Sequence, residues 1–362
     1  MDFTFSEEQE MLRTSAHELM TDRYPIEHVA RLCDGEGFVR DEWKAVAELG
    51  WTGISVPESA GGAGLGFSEE MVIAEELGHA LYPGPFFSTV VLALGAAQAA
   101  EASELVGQIA SGAVTATVAW AGPEGRFDSD PAPKVQWDDG RLTATRLFVP
   151  DLAVADVVLV VGALPEGTGL WQVGSAGEGV SWRELPAIDT TRRQFELNIA
   201  NAPALLLTAT PAGPELLRSL LNRAFAALAA EAVGVGQRAL EFALDHARTR
   251  QQFGRPIGAF QAVSHELARA FAEIETARSL AYWAGWAVAE GAAEAGAAAR
   301  AAKVRAADAA VDTCEKAIQA HGGIGFTWEH PLHRFYKRAL GIQATMGGPD
   351  ELRADVAAYL LA

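Results

Sequence analysis

Lys303-Val-Arg-Ala-Ala-Asp-Ala-Ala-Val-Asp-Thr-Cys-Glu-Lys-Ala-Ile318 is the stretch on which the reading of the fold turns. Val304, Ala307, Val311, Cys314 and Ile318 recur at steps of 3, 4, 3 and 4, an apolar stripe along one face of a helix. The alanine-rich segment 292–310 overlaps it, and alanine is the strongest helix former, so the composition extends the helix. Further back, Val263, Leu267, Phe271 and Ile274 predict a second helix. A third runs from Pro214 to about Arg248 through Leu217, Leu220, Leu221, Phe225 and Leu228. Long helices with short connections imply a four-helix bundle over 211–362.

Upstream the period changes. Val114-Thr-Ala-Thr-Val118 alternates, Arg141–Val149 is strand-like, Val157-Val-Leu-Val-Val161 is a buried-strand run, and Asp138-Asp-Gly140 is a hairpin signal. Residues 113–210 therefore predict a small antiparallel β domain. Residues 1–112 return to helix. Ser6 precedes Glu7, Glu8 and Glu10, and Asp41 is placed to cap a helix through Trp43 and Val46 that ends at Gly50. Met71, Ile73, Leu77 and Leu81 follow a glycine-rich turn. The expected class is α+β multidomain: helical, β, helical.

The 362 residues carry 47 acidic and 28 basic side chains, a formal charge of −19. That balance argues against nucleic acid as a partner, since such binding rests on Lys and Arg neutralising phosphates. Any anion must be held by a local cationic pocket. Cys33 and Cys314 form no disulfide framework or CxxC pair. The opening residues lack a signal-peptide pattern, and no apolar run is long enough to span a bilayer. A cytoplasmic protein is expected.

Three segments carry candidate chemistry. Arg248-Thr-Arg-Gln-Gln-Phe-Gly-Arg-Pro-Ile-Gly258 concentrates three arginines whose planar donor forks suit phosphate, although cations at a helix C-terminus also serve the dipole. Gln319-Ala-His-Gly-Gly-Ile-Gly-Phe326 holds three glycines in four positions, which lets backbone N–H groups converge on an anion. Trp328–Arg338 combines His330, His333, Arg334, Lys337 and Arg338. Pro331 splits the two histidines, so solvated or phosphate-facing basic residues are expected there, and no metal site. Gly61-Gly-Ala-Gly-Leu-Gly66 follows a Pro-Glu-Ser turn instead of a strand, which excludes a dinucleotide fingerprint.

Together these segments resemble the acyl-CoA dehydrogenase family over nearly the whole chain. The carriers are Asp2-Phe-Thr-Phe-Ser-Glu-Glu-Gln-Glu10, Leu49–Glu58 with Gly61–Gly64, Glu75-Glu-Leu-Gly78, Arg250-Gln-Gln-Phe-Gly254 with Phe260-Gln261, and Gln319-Ala-His-Gly-Gly323. The resemblance implies FAD bound between subunits. It assigns Arg250 to the pyrophosphate with Gln252, Phe253 and Gln261 nearby. Gln319, Gly322 and Gly323 fall to a neighbouring subunit's adenosine-diphosphate site. It also implies α,β-dehydrogenation of an acyl-CoA thioester, a homo- or hetero-oligomer, and an electron-transfer flavoprotein as acceptor.

Two departures accompany it. The family's usual catalytic glutamate falls on Met346 or Gly347, and its alternative position aligns near Ala224; none of these accepts a proton. Glu231 is the closest carboxylate on that helix, with Asp350 and Glu351 about one turn beyond Met346. Ala119–Asp128 replaces the segment that usually lines the flavin ring. Two arrangements follow: a self-sufficient dehydrogenase using Glu231, or a partner subunit without its own base that completes the FAD site of a heteromer.

Overall fold

The computed structural model describes residues 5–35, 37–127, 132–164, 167–208 and 213–361. Asp2, Phe3 and Thr4 of the opening motif, Asp128, and the 210/211 boundary lie outside them. The amino-terminal helices are α1 (Glu7–Arg23), α2 (Ile26–Asp34), α3 (Arg40–Glu48), α4 (Phe67–His79), α5 (Gly95–Ala99) and α6 (Ser103–Ala110). Ser6 caps α1 through a reciprocal box: its hydroxyl accepts from Gln9 N, and the Gln9 side chain accepts from Ser6 N. The expected Asp41 cap is corrected. Helix α3 starts two residues earlier behind Val39, which makes no side-chain cap, and Asp41 sits in the first turn bonded to Lys44 at 2.9 Å.

Packing divides the chain into two compact units that cut across the order of the sequence. One gathers residues 34–70 and 83–224; the other gathers the chain up to Cys33, residues 71–82, and everything from Phe225 onward.

The first unit contains β1 (Ala116–Ala119), β2 (Gln136–Asp138), β3 (Arg141–Pro150), β4 (Val157–Leu164), β5 (Gly167–Gly174), β6 (Val180–Leu185), β7 (Gln194–Pro203) and β8 (Leu205–Thr208). They form two four-stranded sheets, β1-β4-β5-β8 and β2-β3-β7-β6. Every pairing is antiparallel except β1 with β4, which runs parallel with Ala116 opposite Val157. Strand β1 is buried at all four positions, so the alternation expected at 114–118 gives way to a strand covered on both faces. The Asp138–Gly140 hairpin forms: Asp138 opposes Arg141 across Asp139 (φ 42°) and Gly140 (φ 74°), the type I′ geometry that matches strand twist. Leu142, Val158, Val160, Trp171, Phe195 and Leu197 fill the core between the sheets.

The second unit is built on α7 (Gly213–Thr249) from Phe225 onward, a short hairpin of β9 (Gln251–Gln252) and β10 (Arg255–Pro256), then α8 (Gln261–Ala289), α9 (Ala295–His321), α10 (Leu332–Ala344) and α11 (Pro349–Leu361). Of the expected stripe on α9, Ala307, Cys314 and Ile318 are buried, but the core face is wider than that stripe. Ala299, Ala302, Ala306, Ala310, Cys314 and Ala317 are buried, whereas Val304 and Val311 are only half-buried. Small residues let neighbouring helices approach closely, so alanines take the interior and the larger valines its rim. On α8, Leu267, Ala270, Ile274 and Ala277 form the buried face, and Phe271, about 100° around the helix, is 54% exposed instead of packed. Among the described residues no helix is long and apolar enough to cross a membrane.

Candidate functional site

Helix α7 ends at Thr249, and the chain turns at once into the β9–β10 hairpin, with Ile257 N returning to Arg250 O at 2.9 Å. Gln252 opposes Arg255 across Phe253 (φ 52°) and Gly254 (φ 78°). A phenylalanine held in the left-handed region is uncommon, and this one is 92% exposed. Arg250, Gln252 and Gln261 are exposed beside it, and Arg250 makes no ion pair among the described residues. Arg255 lies over the Phe260 ring at 4.1 Å, which stiffens the hairpin from its other strand.

The glycine segment follows α9 directly. Gly322 has φ 67°, and a Cβ built at Gly322 or Gly323 would meet nothing within 4 Å. The backbone at both glycines is therefore open to close approach on its side-chain side, while Gly322 N donates back to Gln319 O and Ile318 O at the end of α9, with exposed Gln319 a turn earlier.

The two signatures, about seventy residues apart in sequence, converge. The His246 ring, one turn before Arg250, stacks on His321, which precedes Gly322, with centroids 4.3 Å apart. His330 closes on His321 at the same centroid distance. Burial and the neighbouring His321, His246 and His333 pull the His330 pKa down to about 4, and burial beside His321 and Arg250 lowers that of His246. His246 and His330 therefore lend little positive charge at neutral pH, leaving the exposed arginines as the cationic donors. The exposed Arg250 guanidinium fork and the carboxamides of Gln252 and Gln261 fit a diphosphate, and the open backbone at Gly322 and Gly323 admits a ligand closely.

The expected base residues look different in place. Glu231 is buried, and Arg338 Nε donates to its Oε1 at 2.5 Å; a second Arg338 nitrogen donates to Tyr82 O at 3.3 Å. Arg338, expected to be solvated or phosphate-facing, is thus an interior residue of α10, in line with buried Leu332, Phe335 and Ile342. Ala224 is fully buried. Met346 is buried with φ 57°, and Gly347 follows at φ 119°. Lys303 Nζ, buried at the centre of α9, reaches this turn and donates to Thr345 O and, at 2.7 Å, to Gly347 O, with Gln343 O at 3.5 Å. Asp350 and Glu351 occupy the first turn of α11. In the β unit, Trp120 and Ala121 are buried where the flavin-lining segment is replaced, and Leu147 N donates to Ala121 O at 2.9 Å.

Sequence reasoning missed Lys303 and Arg338 as interior cations. A signal existed for both, since each falls in register with its helix's buried positions. It also missed the histidine stack, which joins residues from three separate segments.

Two family models match the chain, the acyl-CoA dehydrogenase N-terminal domain over residues 6–108 and the C-terminal domain over residues 212–361. The chain belongs to the acyl-CoA dehydrogenase family. Among curated relatives, the acyl-CoA dehydrogenase FadE27 of Mycobacterium tuberculosis is 30% identical, covering 96% of this chain and 95% of its own. Among solved structures, the Tcur3481-Tcur3483 steroid ACAD is similar at 31% identity and TM-score 0.88, covering 98% of each chain. The ChsE4-ChsE5 complex from Mycobacterium tuberculosis is similar at 29% identity and TM-score 0.89, covering 100% of this chain and 99% of that one. As an acyl-CoA dehydrogenase, the chain is an oxidoreductase with the family's helical and sheet-bearing parts.

Proposed function

We propose that this chain is the FAD-holding subunit of a heteromeric acyl-CoA dehydrogenase, and that the group accepting the substrate α-proton comes from an unlike partner. The observation that carries this reading is the state of the base candidates. Met346, Gly347 and Ala224 have no proton-accepting side chain, and the Glu231 carboxylate is held by the Arg338 guanidinium in a buried pair. A general base must reach the proton that it takes, and a carboxylate spent on an interior arginine is poorly disposed to leave it.

On this reading Arg250, Gln252, Phe253 and Gln261 meet the diphosphate side of FAD, and Gln319, Gly322 and Gly323 belong to a neighbouring subunit's adenosine-diphosphate site. When bound, FAD supplies the hydride acceptor for α,β-dehydrogenation of an acyl-CoA thioester. Arg250 neutralises diphosphate charge on an otherwise anionic protein, and the open backbone at Gly322 and Gly323 lets a neighbouring subunit's adenosine diphosphate approach closely. The exposed Phe253 offers an apolar face to whatever covers the hairpin. Two solved relatives named as two-component assemblies support a heteromer, and an electron-transfer flavoprotein is the acceptor that fits the family.

The test is expression of this chain alone and together with an unlike family member that carries a glutamate at the position of Met346 or Gly347. The lone chain should be flavin-poor and inactive toward acyl-CoA with an artificial acceptor, and co-expression should restore both properties. Turnover by the lone chain at the co-expressed rate would favour the self-sufficient arrangement with Glu231 as base.

A further inference from the structure

A second cluster of ligand-type side chains lies in the bundle unit and shares no residue with the diphosphate signatures. His17 comes from α1, and Glu76 and His79 come from α4, three residues apart and so on one helix face. One ligand atom from each lies within 4.8 Å of the other two. His17 Nδ1 is 2.8 Å from Glu76 Oε2, and the His17 and His79 rings are 5.0 Å apart. Behind them, His79 Nε2 sits 2.9 Å from Glu241 Oε2 on α7.

We propose that His17, Glu76 and His79 form a binding site for a divalent transition metal, zinc above all, with Glu241 orienting His79. The geometry is close to what zinc needs. Bonds of about 2.0–2.1 Å in a tetrahedron put ligand atoms roughly 3.3 Å apart, so the three groups close on an ion by side-chain rotation alone. The Glu241–His79 pair reproduces the carboxylate-to-histidine arrangement that sets the tautomer and orientation of metal-bound imidazoles. Glu241 is suited to this role. Gln237 Nε2 at 3.0 Å and Arg238 Nη1 at 2.9 Å also donate to the Glu241 carboxylate and hold it in place. Two imidazoles with one carboxylate favour zinc, copper, nickel or cobalt over magnesium or calcium. Glu76 is buried and His79 half-buried, whereas His17 is largely open to solvent, which leaves a fourth position facing water. A metal here would staple α1 to α4.

The test uses the full chain stripped with chelator, and its zinc readout does not depend on flavin loading. Zinc per chain is measured after gel filtration from zinc solution, and melting is followed with zinc or magnesium chloride. About one zinc should be retained per chain, with a Tm rise of roughly 3 °C or more and no response to magnesium. His17→Ala, at the exposed end of the triad, should lose both signals, and Glu241→Gln should weaken zinc binding at least about tenfold. His28→Ala, a histidine of α2 outside the cluster, should keep both. Retention below about one tenth of an equivalent by the native chain, or unchanged retention by His17→Ala, would overturn the site.

Discussion

Arg338 Nε donates to Glu231 Oε1 across 2.5 Å, with both side chains at least nine-tenths buried on helices α10 and α7. The pair joins two helices of the bundle, and its charges have little water to fall back on. Removing one partner therefore strands the other in a low-dielectric interior.

Glu231→Gln should lower stability by about 3 kcal/mol or more, read by urea unfolding. In the co-expressed assembly that variant should keep its rate of flavin bleaching by acyl-CoA once correctly folded. Folded, flavin-loaded Glu231→Gln enzyme with its flavin reduction slowed about a thousandfold would instead make Glu231 the base.

Arg250→Ala should weaken retention of FAD by about ten- to a hundredfold, from the loss of charge-assisted bonds worth roughly 1.5–3 kcal/mol. The check is the flavin-to-chain ratio of the co-expressed assembly after dialysis, with melting of the flavin-free chain unchanged because the side chain is exposed and makes no ion pair among the described residues. Gly323→Val, at a position without a left-handed φ, should act on the same ratio by filling the open space beside the backbone; a ratio equal to wild type would remove this loop from the cofactor site.

Lys303 makes stability depend on pH. Burial takes its pKa down from the ordinary lysine range to about 7, with the Glu351 charge opposing that fall. The unfolded chain keeps this proton until about pH 10.4, so between pH 7 and 10 it binds more protons than the folded chain, and stability rises with pH. Lys303→Met should remove about one proton from the slope of unfolding free energy against pH in that window. Parallel pH profiles for the two proteins would contradict the assignment.

Arg146, almost wholly buried in the β unit, donates only to carbonyls among the described residues: Val161 O at 2.6 Å, Thr145 O at 2.8 Å, and the carbonyls of Pro133 and Lys134. Burial lowers its pKa to about 10, so it stays charged at neutral pH. Arg146→Ala should cost about 3 kcal/mol or more by leaving those carbonyls unsatisfied and opening a cavity. A calorimetric Tm within 1 °C of wild type, about the scatter of such a measurement, would contradict this.

Much of the molecule is legible in one dimension because its determinants are local. The Ser6 cap, the Asp139-Gly140 turn and the helical period of 304–318 act over a few residues, so the elements are foreseen even where a boundary moves, as at Asp41. The family motifs around Arg250 and Gln319 are also local strings, and they identify the diphosphate segments. Local pattern does not say which neighbour a side chain will meet. Val304 and Val311 yield the interior to alanines because helix separation is set by the partner helices. Arg338 looks like a surface cation until Glu231, 107 residues earlier, is placed beside it. The His246–His321 stack and the His17–Glu76–His79 cluster likewise exist only after distant segments pack. Sequence alone determined the elements, their order and the family, since those follow from spacing and short-range chemistry. Tertiary structure alone decided which charges are buried in pairs and which carboxylates are left for chemistry, because desolvation and pairing depend on every element packed around a group.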